Sequence, residues 1–99
     1  MEYKKLINII INYINNNEKK ETAEKFCNEF MDTFYAIQNN LEKEISQNIF
    51  EMLDDINLIC DSYEANIDIR KADKYCIGEI ELKNKVIKYF KKIQDSVIL

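Results

Sequence analysis

The chain contains no proline and a single glycine, Gly78, so almost nothing in it interrupts a helix. Its apolar residues recur every three or four positions, the spacing that gathers them on one side of a helix. No hairpin turn or alternating strand pattern competes with that reading. We therefore expect an all-α fold, an antiparallel four-helix bundle with a long connector before the last helix. Its 99 residues supply one modest core, so positions 1–99 read as a single helical domain.

The first helix is expected from Tyr3 to about Asn15, with Tyr3, Leu6, Ile7, Ile10 and Ile14 inward. Ile9, Ile11 and Tyr13 widen its apolar arc, and Asn15, Asn16 and Asn17 end it. The second begins around Lys20 to Thr22 and carries Ala23, Phe26, Cys27, Phe30, Phe34 and Ile37 on its inner stripe, until Asn39 and Asn40 stop it. The third runs from about Leu41 to Tyr63 or Glu64, with a bend near Asn57. Its core side reads Ile45, Ile49, Met52, Leu53, Ile56, Ile59, Cys60 and Tyr63. Asn66 to Ile77 is then a connector of a dozen residues, long for a segment without regular structure. Glu79 to about Gln94 forms the last helix, with Leu82, Val86, Tyr89, Phe90 and Ile93 inward. Its early glutamates and its late Lys88, Lys91 and Lys92 suit the helix dipole.

The third helix also carries an acidic face. At about 100° per residue, Glu44, Gln47, Glu51, Asp54, Leu58 and Asp61 fall opposite the core side. From Leu41 to Asp68 there are eight carboxylates and one lysine, a net charge of −7, whereas the whole chain carries −4. A charge run is ordinarily a solvated helix face. Two details set this one apart: Leu58 stands among the carboxylates, and lysines at i±4 that would relieve their repulsion are almost absent. Residues 69–99 carry a net +4 as a counterweight, and some of their lysines are expected to pair with the acidic helix.

Composition removes most enzymatic chemistry. Histidine is absent, which takes away the usual general base and any Ser-His or Cys-His pair. There is no glycine-rich phosphate loop, no calcium-loop spacing between Asp61 and Asp68, and no Glu-x-x-His pair for a bundle metal site. Asp54 and Asp55 are adjacent and point to different sectors, so they form no dyad. We expect no enzyme, no metal and no cofactor. A pI near 4.9 opposes nucleic acid and anionic membranes as partners and favours a basic protein. Lys83, Lys85, Lys88, Lys91 and Lys92 can form a basic strip, which reads more simply as a solvated face.

Cys27, Cys60 and Cys76 are odd in number and lack C-x-x-C spacing. Cys27 and Cys60 lie on apolar faces and read as small buried hydrophobes of a reducing compartment. The apolar run Leu6 to Ile14 is too short to span a bilayer, and no cleavage site follows it. The expected location is the cytoplasm. What remains is protein binding: Leu58, flanked by Phe50 and Tyr63, stands within a charged surround, the makeup of an interface. The basic cleft of a nuclease is the obvious complement, because carboxylates can occupy sites meant for phosphates.

From Asp54 to Phe90 the chain resembles the colicin D-type immunity proteins, small helical inhibitors of bacterial tRNA-cleaving toxins. Related immunity proteins serve contact-dependent inhibition and other polymorphic toxin systems. The resemblance rests on the pair Asp54-Asp55, an apolar run, then Asp61, Tyr63, Glu64 and Asp68 before Arg70. Tyr75 to Ile77 and a closing helix from Glu81-Leu82-Lys83 through Val86 to Tyr89-Phe90 complete it, and the T-A-E-K-F run at Thr22 to Phe26 is similar to the family's second-helix start. Arg70 stands five residues before Tyr75, and Gly78 occupies a position where the family tends to be acidic, so the connector is where this chain departs.

The resemblance implies a stoichiometric inhibitor that plugs a toxin's active-site cleft and imitates the charge of tRNA. It sets Asp54, Asp55, Asp61, Glu64 and Asp68 against cationic toxin residues, with Leu58 and Tyr63 as packing anchors. Glu51 shares the acidic face and completes the expected partner-binding set. Tyr63 equally fits the core stripe, and Asp68 equally fits a turn cap. Two other readings stay open. One is a helical adaptor or oligomerisation module that self-associates through its wide apolar first helix. The other is a bacteriocin immunity factor acting at a membrane receptor.

Overall fold

The computed structural model describes residues 2–17 and 19–97. Five helices account for most of them: α1 (Tyr3–Ile14), α2 (Lys20–Glu44), α3 (Gln47–Ser62), α4 (Ile67–Ala72) and α5 (Glu79–Val97). Among the described residues there is no strand, only an isolated bridge between Tyr63 and Ile77. The fold is all-α. Of the four long helices, α1 packs on α2, α2 on α3 and α3 on α5, while α5 returns to touch α1 and α2.

The core is the sum of the inner stripes. Leu6, Ile10 and Tyr13 of α1 meet Phe26, Phe30, Phe34, Ile37 and Leu41 of α2, with Leu53, Ile56 and Cys60 of α3 and Leu82, Val86 and Ile93 of α5. A ladder of rings runs through it. Tyr13 stacks on Phe26 at 4.2 Å, Phe26 meets Phe30 at 5.8 Å, Phe30 meets Phe34 at 6.1 Å, and Phe34 meets Phe50 at 5.7 Å. In α1 the deep position belongs to Tyr13, whereas Ile7 and Ile14 are only half-buried.

The second and third helices divide later than expected. Asn39 and Asn40 do not stop α2, which continues to Glu44. Both asparagines are exposed, and asparagine costs a helix only about 0.5 kcal/mol each. Leu41 lies four residues beyond Ile37 on the same stripe and is fully buried, a gain of about 2 kcal/mol. Burial wins. The chain turns extended at Ile45 and Ser46, and the Ser46 hydroxyl caps α3 by accepting the Ile49 N–H at 3.3 Å. α3 then runs through Asn57 without interruption.

Both ends of α1 are held by side chains from distant helices. The Glu44 carboxylate accepts the N–H groups of Glu2 and Tyr3, each at 3.2 Å, satisfying amides that a helix start leaves free. At the other end, Lys83 of α5 donates to the Asn16 carbonyl, its ammonium 5.6 Å from the centre of the Tyr13 ring. Lys83 is 7% exposed, so it belongs to the core and not to a basic strip. Helix α5 also extends three residues past Gln94, to Val97, which leaves no basic residue in its last turn.

The connector is not structureless. Asn66 caps α4 by accepting the N–H groups of Asp68 and Ile69, with Asp68 in the first turn and Arg70 and Lys71 in the last. Its two ends are laced together: the Ile77 N–H donates to Ser62 O at 2.9 Å and the Glu64 N–H to Ile77 O at 3.0 Å. Arg70 reaches Glu79 at 2.9 Å, a half-buried ion pair that fastens α4 to the start of α5. Gly78 makes room for it, because a Cβ there would lie 1.8 Å from the Arg70 guanidinium.

Candidate functional site

Helix α3 presents the charged face. Glu51, Asp54, Asp55 and Asp61 are its only ionisable acids, and it carries no basic residue. That −4 equals the net charge of the whole chain. From Glu51 to Asp61 the ridge covers about 15 Å at 1.5 Å per residue, with Leu58 in its midst and 57% exposed. Glu51 and Asp61 are exposed, whereas Asp54 and Asp55 are half-buried along the flanks.

Among the described residues none of these carboxylates forms an ion pair. Among the described residues the ion pairs join Lys5 to Glu2, Lys25 to Glu29, Arg70 to Glu79 and Lys85 to Glu81. No lysine of the basic C-terminal third reaches α3, contrary to expectation. Along the ridge Gln47 donates to Glu51 at 3.5 Å. A ridge without neighbouring cations keeps its negative field.

The remaining expected site residues are distributed differently. The eight carboxylates do not share one rod, since Glu42 and Glu44 belong to α2 and Glu44 is occupied with α1. Glu64 lies beyond the end of α3, where its carboxylate accepts the Asn66 N–H at 3.1 Å and shapes the turn. Asp68 is exposed on α4, in the first turn. Phe50 turns its ring to Phe34, so it does not flank Leu58 as a free anchor.

Tyr63 is packed against the core, half-buried, and its hydroxyl is shielded from solvent with no hydrogen-bond partner among the described residues. Burial pushes its phenol up to about 12, and the nearby charges of Glu79 and Glu24 add to the rise. A folded value above the ordinary 10 means that the fold disfavours the phenolate, so stability is at its full value below pH 10. Part of it is lost as the pH rises from 10 to 12. Tyr63→Phe is therefore expected to be neutral or stabilising by up to about 1 kcal/mol at pH 7. It should also flatten the alkaline fall, read as the difference between two denaturation series. A loss above about 1 kcal/mol at pH 7 would mean that the hydroxyl has a partner.

Sequence reasoning missed an apolar feature of the connector. α4 buries none of its residues, yet Ile67 and Ile69 are 58% and 49% exposed, with Tyr75 and Ile80 exposed nearby in sequence. The capping pattern of Asn66, Asp68, Arg70 and Lys71 was the available signal for a helix there. Beside Asp61 and Glu64 a cleft of about 280 Å³ leads down to Cys27 and Cys60. Among the described residues no three His, Cys, Asp or Glu side chains converge as metal ligands, and no helix is long and apolar enough to cross a membrane. No family model, curated protein or solved structure matches this chain.

Proposed function

We propose that this protein is an immunity protein that binds a nuclease toxin, of the tRNA-cleaving kind, and occludes its basic cleft with the acidic face of α3. One observation carries the reading: four carboxylates on a single helix, none paired with a cation among the described residues, surround an exposed leucine. Carboxylates left unpaired in this way suit a surface that will be neutralised by a partner, with Leu58 supplying a desolvated contact within the charged surround. The partner is the basic C-terminal domain of the toxin, bound one to one, in the cytoplasm. The scaffold is read as an antiparallel four-helix bundle formed by α1, α2, α3 and α5, with α4 inside the connector.

Co-purification with the product of the reading frame directly upstream tests this. That product is expected to be a large toxin with a basic C-terminal domain, and association with it should slow as salt rises past the point where the screening length is shorter than the ridge. An association rate indifferent to salt would remove the electrostatic mechanism. A groove of about 580 Å³ lined by Ile7, Ile11, Ile45, Ile49 and Phe90 favours the adaptor reading instead. Light scattering on the protein alone distinguishes the two, since the inhibitor reading does not require self-association.

A further inference from the structure

The groove of about 580 Å³ lies where α1, the α2–α3 junction and α5 come together. It runs along α1 from Tyr3 to Ile11, about 12 Å at 1.5 Å per residue. Ile7, Ile45, Ile49 and Phe90 pack against the core or lie on the inner stripes, yet each is only half-buried, and Ile11 is 38% exposed. No side chain among the described residues fills the space between them. A groove of that volume, apolar along most of its length, has the dimensions of a small-ligand site, about 300–1,000 Å³.

Its polarity is graded. Glu44 stands beside the start of α1, its two oxygens accepting the Glu2 and Tyr3 N–H groups, and Ser46 follows two residues later. Glu44 carries the one formal charge in the lining, and among the described residues no basic side chain lines the groove. The α1 start sets roughly half a positive charge against that carboxylate, so this end stays net negative. Each carboxylate oxygen also keeps a second lone pair for a donor. Ile11, two turns along α1, lies toward the apolar end.

We infer that this groove binds a monomeric single-chain amphiphile with an aliphatic tail and an ammonium head. The tail lies along Ile7, Ile11, Ile49 and Phe90, and the head donates to Glu44. A charge-assisted hydrogen bond forms there in a half-buried setting. A carboxylate or phosphate head meets like charge with no cation to offset it. A second copy of the chain is disfavoured as occupant, because each copy carries −4. The groove shares no residue with the α3 ridge, so the site stands independently of what the ridge binds.

The test is calorimetric titration of the full chain with dodecylammonium and, separately, dodecanoate, both below their micelle-forming concentrations. One dodecylammonium per chain should bind saturably, and dodecanoate should bind weaker by about tenfold or more, the value of one hydrogen bond to a charged group. Glu44→Gln should bring the ratio of the two affinities toward one, with helicity checked because Glu44 also holds the start of α1. Ile49→Trp fills the groove and should abolish binding, which keeps the test decisive if the Glu44 variant frays. Asp32→Asn removes an equal charge from an exposed position outside the groove and should leave the ratio unchanged. Equal affinities for the two probes, an equal loss of discrimination in Asp32→Asn, or binding indifferent to Ile49→Trp would overturn the inference. So would affinity that falls as the protein is concentrated, the mark of a second copy in the groove, or binding that requires deletion of Ile98 and Leu99, the mark of the chain's own end.

Discussion

Asp54→Lys combined with Asp61→Lys is expected to abolish protection of toxin-expressing cells while leaving the protein folded. Each reversal changes the charge by two, so α3 goes from −4 to neutral. Opposing a cationic cleft with a like charge costs several kcal/mol, and every 1.4 kcal/mol is a factor of ten. Two reversals should weaken the complex by at least about a thousandfold. The fold should tolerate them, because neither carboxylate has an ion pair to lose among the described residues. Asp61 is exposed and Asp54 is half-buried, a setting in which a lysine stem can extend along the surface to water. Unchanged unfolding in denaturant, alongside lost binding, places the defect at the interface. Full protection by the double variant would sink the proposed function.

Phe30→Ala is expected to cost about 4 kcal/mol of stability, close to the whole of what a small domain possesses. The ring is 0% exposed and stands in the middle of the aromatic ladder, between Phe26 and Phe34. Its removal loses the transfer free energy of a buried ring and leaves a cavity in the shared core. Tyr35 provides the internal control. It lies on the same helix but is 78% exposed, so Tyr35→Ala should shift stability by no more than about 0.5 kcal/mol. Urea denaturation measures both, with an unchanged slope showing that the transition stays cooperative. Equal effects at the two positions would place the core on the wrong face of α2.

Helix faces were legible because burial follows the three-four spacing almost residue by residue, as in Leu82, Val86 and Ile93 of α5 or Leu53, Ile56 and Cys60 of α3. Helix ends were less so. Asparagine is a weak stop, and it yields wherever the next buried residue, here Leu41, is worth more than the propensity it overrides. The acidic ridge could be read from sequence up to Asp61, since those residues share one helix. Glu44, Glu64 and Asp68 could not be placed the same way, because their positions depend on where α2 and α3 end. Lys83 was misread for another reason. A lysine on the border of an apolar stripe faces water unless a distant acceptor meets it, and the Asn16 carbonyl that does so is 67 residues away.

The lacing of Ser62 and Glu64 to Ile77 leaves the intervening segment as a closed excursion whose ends stay adjacent whatever lies between them. Its six-residue helix contributes no buried side chain. Apart from Arg70, whose pair with Glu79 ties α4 to the start of α5, exposed residues there can be exchanged while α3 and α5 keep their registration. A chain built this way can vary the surface of that tip without renegotiating its interior.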